Sequence, residues 1–222
     1  MRRLFALGLL INSLAWAIGP ASPATAGSEA ISAYDVAIAI DPNGDIHVVE
    51  TIEYDFGDTQ RHGIFRDIPT RLRYDDTYDR TFPLRVDEVS GSPGTPVQYE
   101  VEDAGDGMTR IKIGDPDQTI SGEHTYRIAY TVHGALNAFA DHDELYWNAI
   151  GDEWSSPVDH ATVRVTSPGE VVGTACFQGE RGSNLSCDEA SARGDTARFA
   201  QAHLFPYEGL TIVVGMAKGA GT

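Results

Sequence analysis

The sequence has few basic residues. Its 222 residues include 16 lysines and arginines against 33 aspartates and glutamates, a formal net charge of −17. Because nucleic-acid binding depends on positive side chains that neutralise phosphates, this charge excludes nucleic acid as an expected partner. It also opposes direct adsorption to anionic lipid and favours a soluble, acidic surface.

The motifs of common catalytic sites are also missing. The chain contains no Gly-x-Ser-x-Gly sequence and no glycine-rich phosphate loop between a strand and a helix. Its seven histidines are scattered along the chain. The sequence therefore predicts neither nucleophilic catalysis nor a cofactor, and we expect a protein that is not an enzyme.

Cysteine is scarce. Cys176 and Cys187 are separated by ten residues that include several glycines and serines. Neither belongs to a Cys-x-x-Cys motif, which gives little support to zinc binding or thioredoxin-like chemistry. In an exported protein the two cysteines predict a local disulfide, which would stabilise the fold by about 3 kcal/mol.

Long hydrophobic runs are limited to one segment near the N-terminus. Two arginines precede an apolar run over residues 4–19, and small residues follow at 24–26. This pattern predicts a signal peptide over residues 1–26. An uncleaved anchor is the alternative, but the run is short for a bilayer span. We expect an exported chain, either secreted or on the extracytoplasmic side of the cytoplasmic membrane, with 14 basic residues (16 minus Arg2 and Arg3) against 33 acidic ones.

Helical periodicity is rare after residue 26, and alternation of apolar and polar residues is common. Short alternating segments separated by turn residues are typical of antiparallel β-sandwiches. We predict one all-β domain over residues 27–214, an antiparallel β-sandwich of roughly ten strands, followed by a linker-like end at 215–222. The predicted strands cover residues 34–40, 46–56, 84–89, 97–102, 108–113, 124–132, 161–165, 171–177, 196–202 and 210–214.

A carboxylate interrupts the apolar face of the second predicted strand. Between Ile46 and Phe56 the even positions are apolar except Glu50. A buried, ionised glutamate is costly unless it is paired or hydrogen-bonded. The nearest distinctive cation in the sequence is Arg66, so we predict a structural ion pair between Glu50 and Arg66.

Arg66 lies in a polar segment, residues 57–82, which the sequence predicts to be one long irregular loop. Loops of this length usually carry a function or contact a partner. Gly63, Asp67 and Pro69 flank the arginine, and we expect them to clamp the loop onto the sheet.

Two further clusters carry side chains that could bind a ligand. The first, a candidate metal site, comprises Asp141, His142, Asp143 and Glu144, with His160 and His203 as distant additional ligands. Adjacent residues of an extended segment point to opposite faces, so one site could use about two of the four. A solvated acidic loop is the favoured interpretation, with Glu144 holding the loop through backbone hydrogen bonds.

The second cluster is aromatic. Tyr146, Trp147 and Trp154, together with Glu144, are candidate ligand-facing residues that could stack against a sugar ring. Large aromatic residues around a glycine are more often packing residues at the corner of a sandwich. Packing is therefore the favoured interpretation of the tryptophans.

Several ordered motifs resemble those of the YciQ-like predicted membrane proteins, a bacterial family with a domain of unknown function. The matching motifs are Asn43-Gly44, Val49-Glu50-Thr51, the segment Gly63 to Pro69, Ile113-Gly114-Asp115-Pro116, Gly122 with Tyr126 and Tyr130, the segment Glu144 to Asn148, Gly151 with Trp154, and the segment Pro206 to Thr211. The resemblance implies an exported N-terminal domain that is followed by transmembrane helices. It implies no catalytic residues, and membrane association would depend on helices that are not present in this chain.

Two functions are compatible with these observations. The first is a non-enzymatic extracytoplasmic domain that binds or supports a cell-envelope protein or glycan. The alternative is a metal-assisted hydrolase that acts on envelope glycans or peptides through residues 141–144.

Overall fold

The computed structural model describes residues 28–73 and 77–219, and these ranges contain 17 strands and no helix. The all-β prediction is confirmed. The strands are β1 Ala30–Ile40, β2 Ile46–Asp55, β3 Gly63–Pro69, β4 Arg71–Arg73, β5 Asp79–Thr81, β6 Leu84–Gly91, β7 Tyr99–Gly105, β8 Met108–Gly114, β9 Glu123–Val132, β10 Leu136–Ala138, β11 His142–Ile150, β12 Ala161–Thr166, β13 Val171–Gly179, β14 Leu185–Ser186, β15 Glu189–Arg193, β16 Thr196–Gln201 and β17 Gly209–Ala217.

The strands form four sheets. The largest has the order β15-β16-β12-β1-β2-β9-β6, and a second has the order β10-β11-β17-β13-β14. A three-stranded sheet, β3-β8-β7, and the β4-β5 hairpin complete the fold. Neighbouring strands are antiparallel as predicted, except that β1 and β12 pair in parallel.

The alternation of apolar and polar residues explains why β1 and β2 form strands and which of their side chains are buried. Tyr34, Val36 and Ile38 of β1 lie on one buried face, while the residues between them are exposed or less buried. Successive side chains of a strand point to opposite faces, so one face can enter the core while the other meets water. The core combines these residues with buried side chains from β3, β8, β11 and β17, which gives sandwich-like packing across the sheets.

The prediction of an irregular loop over residues 57–82 is wrong, because β3, β4 and β5 lie inside it. In β3 the side chains of Ile64, Arg66 and Ile68 are all buried on one face. The period-2 pattern was therefore present in the sequence. An arginine at its centre concealed it, since charged residues rarely point into a core.

The structure also corrects the expected loop at residues 141–144. Strand β11 begins at His142 and pairs with β17 along most of its length. The remaining strands missing from the prediction, β10, β14 and β15, are short or fully exposed and so carry little hydrophobic signal.

The predicted boundary at residue 214 is too early. Strand β17 continues to Ala217, and Met216 is buried in the core. Small residues flank Met216 on both sides, so this stretch has the composition of a linker. Pairing of β17 with β11 and β13 nevertheless holds the stretch in the sheet. The predicted signal peptide, residues 1–26, lies outside the described residues. Within the described ranges no helix is long and apolar enough to cross a bilayer.

Candidate functional site

The structure brings Glu50 and Arg66 together in the core, where they are 0% and 1% exposed. Arg66 Nε donates to Glu50 Oε2 at 2.8 Å, and Arg66 Nη2 donates to Oε1 at 2.9 Å. The hydroxyl of Tyr34 donates to Oε2 and that of Tyr130 to Oε1, each at 2.6 Å. Arg66 Nε also donates to Oε1 at 3.1 Å, so each carboxylate oxygen accepts from the guanidinium and from one tyrosine, which offsets the cost of burying the charge.

Arg66 also joins three sheets. Its side chain on β3 pairs with Glu50 on β2, and Nη2 donates to the carbonyl of Ala149 on β11 at 3.2 Å. Its Nη1 donates to the carbonyl of Asp67 at 2.5 Å. One guanidinium thereby links the seven-, three- and five-stranded sheets. It can do so because it is planar and its N–H donors point in fixed, different directions.

The electrostatics of this network favour a charged arginine and neutral tyrosines. Burial opposes charge on Arg66, but the charges and hydrogen bonds around it, with Glu50 foremost, together outweigh burial and raise the pKa of the guanidinium well above its usual value. Burial raises the pKa of Tyr34 and of Tyr130 well above the usual value for tyrosine. The carboxylate oxygens of Glu50 already accept hydrogen bonds from the protein, and both charged side chains are buried. This geometry suits a structural ion pair.

The residues predicted to clamp a loop instead belong to β3. Gly63 faces Gly114 across the β3–β8 pair, and a Cβ at Gly63 would lie 1.9 Å from the carbonyl oxygen of Ile113. Asp67 accepts two hydrogen bonds of 2.7 Å from the Arg110 guanidinium. Glycine is therefore required for close backbone approach, and Asp67 fastens β3 to β8.

The structure brings only some of the candidate metal residues together: Asp141 Oδ1 lies 2.8 Å from His142 Nδ1, whereas Asp143 has other partners. Asp143 accepts from Lys218 Nζ at 2.8 Å and from the Gly219 amide at 3.1 Å, and the bond from Lys218 is the main cause of its lowered pKa. The His142 ring stacks on Phe139 with centroids 4.7 Å apart. Among the described residues, no group of three or more histidine, cysteine, aspartate or glutamate side chains is arranged to hold a metal ion.

Of the other proposed ligands, His160 and His203 have separate surroundings, whereas Glu144 lies near His142. His203 lies 3.5 Å from Asp159, and the backbone carbonyl of His160 accepts from the Tyr34 amide. Glu144 is half-buried, with Oε2 4.0 Å from His142 Nε2.

The four residues predicted to face a ligand separate into two groups. Trp154 is buried against Tyr34 and Tyr54, with ring centroids 5.8 and 6.3 Å apart, so it is a packing residue. Tyr146 and Trp147 both line a cleft whose described lining includes neither Trp154 nor Glu144.

This cleft, of about 310 Å³, lies between the five-stranded sheet and the side of the molecule formed by β3, β4 and β8. One wall includes Pro69, Arg71, Leu72, Phe82 and Met108, and the facing wall includes Tyr146, Trp147, Asn148, Phe177, Arg181 and Thr211. Pairing of β11 with β17 and of β17 with β13 aligns Asn148, Thr211 and Phe177 in one row. This row depends on the pairing register of strands that are distant in the sequence. Only Asn148 could have been identified as a site residue from the sequence, because it belongs to the family-like segment Glu144 to Asn148.

Two neighbouring residues of β11 have a buried polar atom without a hydrogen-bond partner among the described residues. The atoms are Nε1 of Trp147 and Oδ1 of Asn148. Adjacent residues of a strand point to opposite faces, so Asn148 shares the cleft row with Thr211 and Phe177, whereas the Trp147 ring belongs to the buried core face. Tyr146, on the same face as Asn148, is 52% exposed.

A disulfide closes the loop that supplies part of the cleft wall. Cys176 of β13 is bonded to Cys187, with Cα atoms 5.5 Å apart. The segment between them includes Phe177 and the turn residues up to Ser183, which line the cleft. The bond therefore limits movement of that wall.

These features define an all-β, disulfide-bonded domain with a buried ion pair where three sheets meet and a cleft between two sides of the molecule. The chain belongs to the family of predicted membrane proteins with the domain DUF2207, whose N-terminal domain model matches residues 30–216. The family resemblance seen in the motifs is thereby confirmed.

A curated relative is the uncharacterized protein YciQ of Escherichia coli (strain K12), which is 29% identical over 149 residues. The match covers 66% of this chain and 23% of the relative, so the chain spans about a quarter of that protein's length.

Two solved structures share the fold. Yeast LTA4 hydrolase in complex with bestatin aligns with a TM-score of 0.53 and 13% identity, covering 85% of this chain and 29% of the hydrolase. Native yeast LTA4 hydrolase aligns with a TM-score of 0.50 and the same identity and coverage. At this identity the similarity concerns the arrangement of strands and not the chemistry of a site.

Proposed function

We propose that this chain is a non-enzymatic, extracytoplasmic binding or scaffold domain of a predicted membrane protein. Its partner is a component of the cell envelope, a protein or a glycan, which occupies the cleft between the five-stranded sheet and the β3, β4 and β8 side.

The observation that carries the proposal is the cleft itself. Ligand sites are concave, mostly apolar and supplied with a few polar groups that fix orientation. The cleft meets each condition, since Leu72, Phe82 and Phe177 supply apolar surface while Asn148 and Thr211 supply polar side chains.

Two features support export. The N-terminal 26 residues have the order of a signal peptide, and the two cysteines form a disulfide. Disulfides persist in oxidising compartments and are rare in the cytosol.

The metal-assisted hydrolase has no comparable support. Asp143 is held by Lys218 and Gly219, and His142 packs on Phe139. An active centre needs several groups that converge on one pocket. Among the described residues, no such group of metal ligands is present.

The test is capture of envelope components by the immobilised chain and by a cleft-filling variant, Thr211→Arg. Thr211 lies in the centre of the cleft wall, so we expect the arginine to abolish capture of whatever the wild type retains. The matched control is Val172→Arg, an exposed position on the same sheet that does not line the cleft.

The same preparations are assayed for hydrolysis of envelope glycans and peptides. Turnover by the wild type that is lost in an Asp141→Ala, His142→Ala variant would overturn the binding-domain proposal. Equal capture by Thr211→Arg and Val172→Arg would show that the cleft is not the binding surface.

A further inference from the structure

We infer that the outer face of the seven-stranded sheet carries a second binding site, in which Arg164, Arg193 and Arg198 hold the phosphate group of a small phosphomonoester. This site goes beyond the proposed binding function, because none of its residues lines the cleft.

Strand pairing places the three arginines together near one edge of the sheet. Arg164 of β12 and Arg198 of β16 are directly opposite each other. Arg193 of β15 faces Thr196, two residues before Arg198 on the neighbouring strand. All three arginines are exposed, and with Ser191 and Thr196 they line a groove of about 450 Å³.

These arginines lack the partners that arginine has elsewhere in the chain. Within the described ranges, none of the three has an ion pair or a side-chain hydrogen bond. The exposed arginines at positions 61, 85 and 181, by contrast, each contact a carboxylate. The unpaired guanidinium groups are thus concentrated at one groove.

The strand register keeps carboxylates away from the two central arginines. The cross-strand neighbours of Arg164 are Arg198 and Ala37 of β1, and those of Arg198 are Arg164 and Ser191. Like charges directly opposite each other destabilise a sheet. An anion bound between Arg164 and Arg198 would remove this repulsion.

Protection of the sheet edge does not account for the arrangement. Charged side chains on an edge strand prevent pairing with another chain. Strand β15 is the edge strand, so Arg193 has a position suited to that role. Arg198 and Arg164 lie on the second and third strands, which already have neighbours on both sides.

The carboxylates beside the groove bond to hydroxyl groups instead of to the arginines. Glu189 accepts from Ser191 Oγ at 3.0 Å, and Asp195 accepts from Thr196 Oγ1 at 3.1 Å. Three guanidinium groups outnumber these two carboxylates. Charges farther away are screened over about 8 Å at physiological ionic strength, so the groove is locally positive although the net charge of the chain is −17.

A small phosphomonoester fits this set of groups better than other anions. A guanidinium donates two parallel N–H bonds to a phosphate or a carboxylate. A phosphomonoester has three acceptor oxygens and a charge of about −1.5 to −2 at pH 7, so it can contact all three arginines. A monocarboxylate offers two oxygens and one charge, and a long polyanion would extend beyond the groove towards a chain of net negative charge.

The test follows the arginine side chains directly. The ¹⁵N-labelled protein, expressed from the full sequence, is titrated with glycerol 3-phosphate while the arginine Nε–H signals are recorded. Assignments come from Arg164→Gln, Arg193→Gln and Arg198→Gln. We expect these three signals to shift with glycerol 3-phosphate and to stay in place with glycerol.

Variants separate contact at the groove from the overall charge. Arg198→Gln should raise the dissociation constant for glycerol 3-phosphate by roughly five- to tenfold, because charge-assisted hydrogen bonds are lost. Arg127→Gln is the matched control, since Arg127 lies on β9 of the same sheet, pairs with Glu88 and does not line the groove. It removes the same charge and should bind like the wild type.

Stability measurements separate binding from a structural role. Arg198→Gln should not lower the midpoint of thermal unfolding, because it relieves the repulsion with Arg164. A marked loss of stability would show that the arginine has a structural partner and would contradict the inference.

Further ligands test the class of anion and its source. Succinate that shifts the three signals with the same affinity would overturn the choice of phosphate, and inorganic phosphate that binds as tightly would overturn the phosphomonoester. Binding only to vesicles that contain phosphatidic acid would assign the groove to a lipid surface and overturn the small ligand. Equal losses in Arg198→Gln and Arg127→Gln, or no shift with glycerol 3-phosphate, would overturn the site itself.

Discussion

Arg66 has an unusual position for a charged residue, because its guanidinium is enclosed by protein on all sides. Its donors are distributed over Glu50, the Asp67 carbonyl and the Ala149 carbonyl. A buried ion pair contributes little net stability compared with apolar residues of similar volume, but loss of one partner is costly. The pair therefore acts mainly as a constraint on how three sheets meet.

This constraint can be measured with a double-mutant cycle. Glu50→Ala leaves Arg66 and the hydroxyls of Tyr34 and Tyr130 without their acceptor, so the free energy of unfolding should fall by about 3–5 kcal/mol. Adding Arg66→Ala should recover part of that loss. Urea unfolding of the wild type, both single variants and the double variant gives the coupling energy.

An exposed pair serves as the control for the cycle. Arg127 and Glu88 are 3.3 Å apart and largely exposed, so alanine substitutions there should show coupling below about 1 kcal/mol. Additive effects of Glu50→Ala and Arg66→Ala would mean that the two side chains do not interact.

Among the elements, β3 has the largest influence on the site. It carries Arg66 on its buried face, and Pro69 at its end lines the cleft. Its position against β8 depends on the two facing glycines, Gly63 and Gly114, since a side chain on either would collide with the opposite backbone. The close approach of these strands thus determines where the ion pair and one cleft wall lie.

Substitution of Gly63 tests this role. In Gly63→Ala the new Cβ would lie 1.9 Å from the Ile113 carbonyl, which forces the strands apart and should cost about 1–3 kcal/mol in the free energy of unfolding. The control is Gly173→Ala in β13, where no described atom lies within 4 Å of the new carbon. The control should change stability by less than about 0.5 kcal/mol. Equal effects of the two substitutions, measured by thermal or urea unfolding, would contradict the close approach.

At the scale of the whole molecule, the core contains several tyrosines whose hydroxyl groups resist ionisation. Burial raises the pKa of Tyr34, Tyr126 and Tyr130, and it raises the pKa of Tyr54 to about 12. A folded-state pKa above the unfolded value near 10 means that the native state holds its proton more tightly. The contribution of these tyrosines to the free energy of unfolding is complete below pH 10. It is lost as the pH rises through their folded-state pKa values.

We therefore expect alkaline unfolding. Each of these tyrosines should lower the free energy of unfolding by about 1 kcal/mol for each pH unit above 10. Tyr126 is the most informative position, because its buried hydroxyl has no partner among the described residues. Tyr126→Phe should keep its stability at pH 8 and lose less than the wild type between pH 10 and 11.5.

Urea unfolding at a series of pH values, with tyrosinate absorbance near 295 nm as the monitor of ionisation, measures both effects. The prediction fails if the tyrosinate absorbance expected for all tyrosines of the chain develops near pH 10 while the protein stays folded without loss of stability. It also fails if Tyr126→Phe and the wild type have the same slope above pH 10.

Local patterns in the sequence determined the class of fold and the need for the ion pair. Alternation in β1, β2 and β9 reflects the period of a strand, which any single segment reveals. A lone carboxylate on such a face implies a buried partner wherever the segment packs. For this reason Glu50 and Arg66 could be paired before the fold was known, although β3 itself was mistaken for a loop.

The tertiary structure determined the contacts between residues that are distant in the sequence, which no single segment reveals. The parallel pairing of β1 with β12, the bond from Arg66 to Ala149 and the row formed by Asn148, Thr211 and Phe177 all join residues distant in sequence. Trp147 and Trp154 show the same limit, because both are buried aromatic residues near one glycine and only one lines the cleft. Register and sheet packing assign these roles, since they determine which faces meet and which polar atoms remain unpaired.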